Sequence, residues 1–168
     1  MASQFKIWNG SFATTASQLA VTTGTAIKTM LQVKGIAAVK FKVLAWGFSF
    51  DGAAAAAGVQ VELLETGTIF GTVTASAAGD ILPHNDSGAP ASTTYFSVGT
   101  AATGYTCTAE GSIVATRVFD TVLMQPTGAY AWEFSLGREP EIAAISALRI
   151  RVKAAAAVNM LCWVLVEV

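Results

Sequence analysis

His84 is the only histidine in the chain, and what a lone imidazole can do sets the first limit on function. Nucleophilic catalysis would need it to meet Asp86 or a distant carboxylate and an activated serine. No Gly-x-Ser-x-Gly elbow presents that serine. The segment Pro83-His84-Asn85-Asp86 has the composition of a solvated loop. A structural zinc needs four Cys or His ligands, and one histidine with two cysteines falls short. Asp80, Asn85, Asp86 and backbone carbonyls leave a calcium ion open, but the EF-hand spacing is missing and a plain loop is the expected role. Glu133, Glu139 and Glu141 gather near Trp132 in sequence; glycosidase chemistry would require two of them to face each other across a cleft. Scattered Gly-Thr pieces lack the lysine and following helix of a phosphate loop. The expectation is a protein that is not an enzyme and uses no cofactor or metal.

Three groups of side chains remain. Arg149, Arg151 and Lys153 recur at every second position and would form one cationic face of a strand. Such a row suits an edge strand protected from aggregation, an intersubunit row of ion pairs, or contact with an acidic neighbour protein. Among four tryptophans, Trp46 and Trp163 lie in long apolar strands and are expected to be packed. Trp8 and Trp132 are the less committed pair, and they would be the platform of a carbohydrate-binding module. Cys107 and Cys162 read as two small buried hydrophobes, with a disulfide between them still open.

Composition narrows the partners. The chain has 168 residues, a length that suits one domain over 1–168, and a formal net charge of -1. Nucleic-acid binding needs a basic footprint that this balance does not supply. Charged residues are only 12% of the chain, well below the quarter or so usual for a soluble globular protein. Thin charge is a solubility liability for a lone monomer and less of one for a subunit covered in an assembly. No run reaches the 18 or so apolar residues of a spanning helix, so no membrane partner is expected. Met1-Ala2-Ser3-Gln4-Phe5-Lys6-Ile7-Trp8 lacks a basic stretch followed by an apolar run, which predicts synthesis in a cytoplasm without a secretory signal.

The elements that would position these residues are strands. Leu148, Ile150 and Val152 alternate with Arg149, Arg151 and Lys153; Val39, Phe41 and Val43 alternate with Lys40 and Lys42; Val59, Val61 and Leu63 alternate with Gln60 and Glu62. Further strands are predicted at 5–8, 25–33, 68–74, 93–98, 112–119 and 129–136. The run 158–168 is apolar on both faces, which places it centrally in a sheet or against a partner. Residues 75–91 and 99–111 read as surface loops, and the alanine runs at 53–57 and 154–157 as bends. Segment 141–147 is too short for more than a helical turn. The predicted fold is an all-β antiparallel sandwich, jelly-roll-like, with little helix.

With these strands in place, the chain resembles capsid decoration (cement) proteins of tailed bacteriophages with jelly-roll-like subunits. The resemblance rests on Phe5-Lys6-Ile7-Trp8-Asn9-Gly10, on 22–32, on Val43-Leu44-Ala45-Trp46-Gly47-Phe48-Ser49-Phe50-Asp51-Gly52, on 59–64, on the turn Phe134-Ser135-Leu136-Gly137-Arg138-Glu139-Pro140, and on Arg149-Ile150-Arg151-Val152. It implies a homo-oligomer, a trimer above all, on the outer surface of a virion head, bridging major capsid protein subunits and stiffening the shell. Trp8, Arg138, Glu139, Arg149, Arg151 and Lys153 would then be intersubunit or capsid contacts. Met1–Gln4 and the 12–23 stretch would be arms reaching to neighbours. The rival readings are a carbohydrate- or receptor-binding jelly-roll module and another head or tail component.

Overall fold

The computed structural model describes residues 2–11, 17–18, 20–53, 57–112 and 115–168. Strands hold 51% of the described residues, and no α-helix is present among them. In chain order they are β1 (Gln4–Trp8), β2 (Val21–Thr22), β3 (Lys28–Lys34), β4 (Phe41–Asp51), β5 (Val59–Thr66), β6 (Thr72–Ala75), β7 (Leu82–Pro83), β8 (Gly104–Ala109), β9 (Ala115–Met124), β10 (Ala129–Glu133), β11 (Glu141–Ile142), β12 (Ala147–Lys153) and β13 (Asn159–Glu167). They form two antiparallel sheets. One runs β10-β4-β13-β1-β7, with β11 added to β4 and β2 to β13; the other runs β6-β8-β3-β12-β5-β9.

The pairing is nested. The eight main strands pair as β1 with β13, β3 with β12, β4 with β10 and β5 with β9, and the chain crosses between sheets at almost every step. That interleaved order is the path of a jelly roll. Its cause is the period-two burial: β13 reads half-buried, buried, half-buried along its length, and Met160, Cys162, Val164 and Val166 face inward. They meet Phe5, Ile7, Trp46 and Phe48 of their own sheet. Met30, Val33, Val61, Leu63 and Ile150 come from the other sheet, and all belong to one core cluster. Two polar ties close the sides of the sandwich. Asp120 of β9 accepts from the Trp46 indole at 3.2 Å and the Tyr130 hydroxyl at 2.8 Å. Arg117 of β9 pairs with the buried Glu65 and donates to the Glu141 carbonyl.

Residues 67–112, inserted between β5 and β9, add β6 and β8 to the second sheet and β7 to the first, and Gly71, Cys107 and Glu110 of this insertion lie against Arg149 of β12. The Gln32 amide holds them there: its Nε2 donates to the Gly71 and Ala102 carbonyls at 3.1 and 2.7 Å, and its Oε1 accepts from the Gly71 amide at 3.0 Å. Only glycine fits at 104, where a Cβ would fall 1.9 Å from the Thr74 carbonyl oxygen of β6.

Several expectations are corrected. The 93–98 segment is a 3-10 turn at Ser92–Thr94 followed by one isolated bridge, Gly35 to Phe96. The expected loop at 99–111 instead contains β8, where a positive φ of 51° at Thr106 breaks the side-chain alternation. Segment 141–147 holds a two-residue strand rather than a helical turn. The proposed arm at the start of the chain is tied down: Ser3 exchanges two backbone hydrogen bonds with Val168, and Gln4 pairs with Glu167. In the second arm segment, Val21 and Thr22 pair with β13 of the same chain; residues 12–16 and 19 lie outside the described residues, as do 54–56 of the first alanine run.

Candidate protein-docking surface

β13 lies between β1 and β4, and among the described residues no further layer covers its second apolar face. Leu161, Trp163 and Leu165 project outward and are half-buried. Register places Trp8 opposite Trp163 and Lys6 opposite Leu165 on one side, and Gly47 opposite Trp163 on the other. Gly47 allows the indole to lie flat across β4, since a Cβ there would fall 2.8 Å from Trp163 Cζ2 and 2.7 Å from the Tyr130 carbonyl oxygen. The rings of Trp8 and Trp163 are 6.1 Å apart, and Lys6 Nζ sits over both, 4.7 Å and 4.0 Å from their centroids. A desolvated ammonium over an indole is a favourable contact and fixes both rings. Beside them opens a groove of about 430 Å3 whose floor includes Ser49, Ala129 and Ala131.

A second groove of about 370 Å3 lies on the same face toward the other end of β13, walled by Leu44 and Leu136 and rimmed by Lys42, Glu133, Glu139 and Glu167. Leu136 is 97% exposed, on a turn whose Gly137 has φ +82°. Trp163 and Glu167 are four residues apart, so the grooves are about 13 Å from each other along the strand. The result is an apolar sheet face with charge only at its rim, apart from Lys6. A soluble protein rarely leaves such a patch without a partner.

The other singled-out residues distribute as follows. Trp8 is on this face, but Trp132 is not: it pairs with Trp46, whose side chain points into the sandwich, so Trp8 and Trp132 face opposite sides and cannot share a sugar ring. That corrects the platform expected of them. Trp163, expected in the core, is the residue that joins Trp8. Arg138 is exposed on the turn and Glu139 caps it, accepting from the Gly137 amide at 2.8 Å. Glu133 and Glu139 share the second groove, whereas Glu141 pairs with Lys40 at 3.0 Å.

The cationic row is also corrected. β12 is central in its sheet, not an edge. Arg149 is 0% exposed, covered by the 67–112 insertion, and so is no intersubunit or capsid contact. Its Nη1 lies 3.5 Å from Glu110 and from Thr29, while Nε and Nη2 have no partner. Burial lowers its pKa to about 10 despite Glu110. Arg151 is paired at 2.7 Å with Glu62 of the neighbouring strand, and Lys153 alone of the three is exposed. Both cysteines are free and buried, with burial raising each thiol's pKa.

No catalytic constellation accompanies these features among the described residues. His84 is exposed on its loop, Asp86 is turned back to the Gly88 amide, and no group of three His, Cys, Asp or Glu side chains converges as a metal site would require. Asp80 accepts from the Ala77 amide at 2.8 Å. No family model matches the chain, and no curated protein or solved structure is found to be similar to it.

Proposed function

We propose that this protein is a non-enzymatic structural component of a virion, a decoration protein of a tailed-phage head. It would bind the outer capsid surface as a homo-oligomer and bridge major capsid subunits. One observation supports the proposal: the outward face of β1, β13, β4 and β10 is apolar and preorganised, and no other described residues cover it. Its tryptophans are locked by Gly47 and Lys6, so docking would order few side chains and lose little entropy. Display on a repeating lattice multiplies weak contacts into firm attachment.

Co-sedimentation with empty phage shells tests the reading. Wild-type protein is expected to pellet with shells, and Leu136→Asp and Trp163→Ser to stay in the supernatant. Leu136 is solvent-exposed, so its replacement should leave the fold intact. Wild-type protein that ignores shells, or two variants that bind as well as wild type, would sink the proposal. A carbohydrate-binding role has the aromatic groove in its favour, but Lys6 occupies the ring face on which a sugar would stack. Glycan-array binding lost in Trp163→Ser and strengthened in Lys6→Ala would favour that second role.

A further inference from the structure

The four sheet edges are not alike. In the second sheet, β6 has four residues and its register to β8 shifts on both sides of Val73. At the other end β9 is long, but it carries two bulges, leaving residues 119 and 116 unopposed by β5, and an exposed arginine, Arg117. In the first sheet, β7 is two residues long and one of them is Pro83, which has no N–H to offer. Bulges, brevity, charge and proline are the devices that keep an edge from pairing.

β10 has neither bulge nor proline, and its one charge, Glu133, stands at its end. Its register with β4 is unbroken from Ala129 to Glu133, and Ala-Tyr-Ala-Trp-Glu contains no proline or cation. The Phe134 amide donates to Leu44 and the Phe50 amide to the Gly128 carbonyl, which assigns the even-numbered residues to β4. By alternation, the N–H and C=O groups of Ala129, Ala131 and Glu133 therefore point to the open side.

We infer that β10 pairs with β10 of a second copy about a two-fold axis through Ala131, joining the two first sheets into one. The strand is self-complementary in that register. Ala131 faces Ala131 of the other copy and Ala129 faces Glu133, so all the outward amides and carbonyls are matched, about six hydrogen bonds in all. Tyr130 then falls in the close, non-hydrogen-bonded position opposite Trp132, twice. Aromatic pairs there are among the favourable cross-strand contacts. Trp132, now 52% exposed, would be covered, and the Trp46–Tyr130 ring contact at 5.4 Å would gain a third ring. No like charges meet. The inference stands apart from the docking face, and it replaces the three-fold implied by the family resemblance with a two-fold.

Light scattering on a sizing column decides it, on the intact chain at tens of micromolar. Twice the chain mass of 17.4 kDa is expected for wild type. Ala131→Pro, which deletes an amide that β4 does not use, and Trp132→Glu should each halve that mass while keeping the β-rich far-UV spectrum. Should either variant lose the spectrum, amide exchange in wild type replaces it: Ala129, Ala131 and Glu133 must exchange more slowly as concentration rises. A wild-type monomer or trimer, a dimer that survives both substitutions, or concentration-independent exchange at these amides would overturn the pairing. A trimer that binds shells would do so while leaving the capsid proposal in place.

Discussion

Replacing Arg149 by methionine should make the protein more stable, although it deletes a charge in an ion pair. The guanidinium has five N–H donors, and three of them, on Nε and Nη2, find no acceptor inside the fold. Each unsatisfied buried donor costs about 1–3 kcal/mol. The compensation is thin, since both contacts of Nη1 are at 3.5 Å and Glu110 retains part of its hydration. The lowering of its pKa to about 10, by burial above all, has the same sign: the fold disfavours the charged form. Methionine keeps the apolar stem that packs beneath residues 67–112 and removes the head. A net gain of about 2 kcal/mol is expected, or roughly 4–8 °C in Tm for a domain of this size. Urea titration and calorimetry of wild type and Arg149→Met would measure it. The pH dependence has a definite sign. A base whose folded pKa is depressed destabilises the fold fully below that pKa, and the penalty fades as pH rises above about 10 toward the ordinary guanidinium range. The advantage of Arg149→Met should therefore shrink over that window. If the variant instead melts below wild type at pH 7, the guanidinium has partners, such as ordered water, and the reasoning fails.

Two other substitutions probe the remaining geometry. Gly47→Ala puts a methyl where Trp163 and the Tyr130 carbonyl already are, so it should destabilise by about 1–3 kcal/mol and shift the tryptophan emission. An unchanged spectrum would mean the indole does not lie across β4. Tyr130 has its phenol pKa raised to about 12, by burial first and then by its hydrogen bond to Asp120 and that carboxylate's charge. Its contribution is complete below pH 10 and is lost as pH climbs through 12. Tyr130→Phe should cost about 1 kcal/mol and remove an ionisation near pH 12 from a 295 nm titration; a titration unchanged in that range would refute this.

What the sequence revealed and concealed follows from the range of each interaction. Alternation is local, so Leu148 to Lys153 announced a strand and 158–168 announced one with two apolar faces. β8 was hidden because Thr106 breaks its period and threonines flank Cys107. Arg149 alternates like a solvated cation, yet Gly71, Cys107 and Glu110 of a distant segment lie against it. No pattern within a single strand carries that information. Trp8 and Trp132 looked equivalent until register put them on opposite sides, and Trp163 looked buried because a residue on a doubly apolar strand reads the same whichever side it faces. The outward face was legible in principle: a strand with no polar side needs a cover on both, and the described residues supply only one.

The place of β13 between β1 and β4 also governs how the protein is made. Gln4 waits for Glu167, and among the described residues only the two of β7 otherwise pair with β1. At ribosomal speeds that wait is on the order of ten to thirty seconds, with Phe5, Ile7 and much of β4 unpaired in the nascent chain. Nested pairing of this kind makes folding slow and nearly all-or-none. A chain cut before Asn159 would lack the strand that joins β1 to β4, leaving the first sheet divided in two.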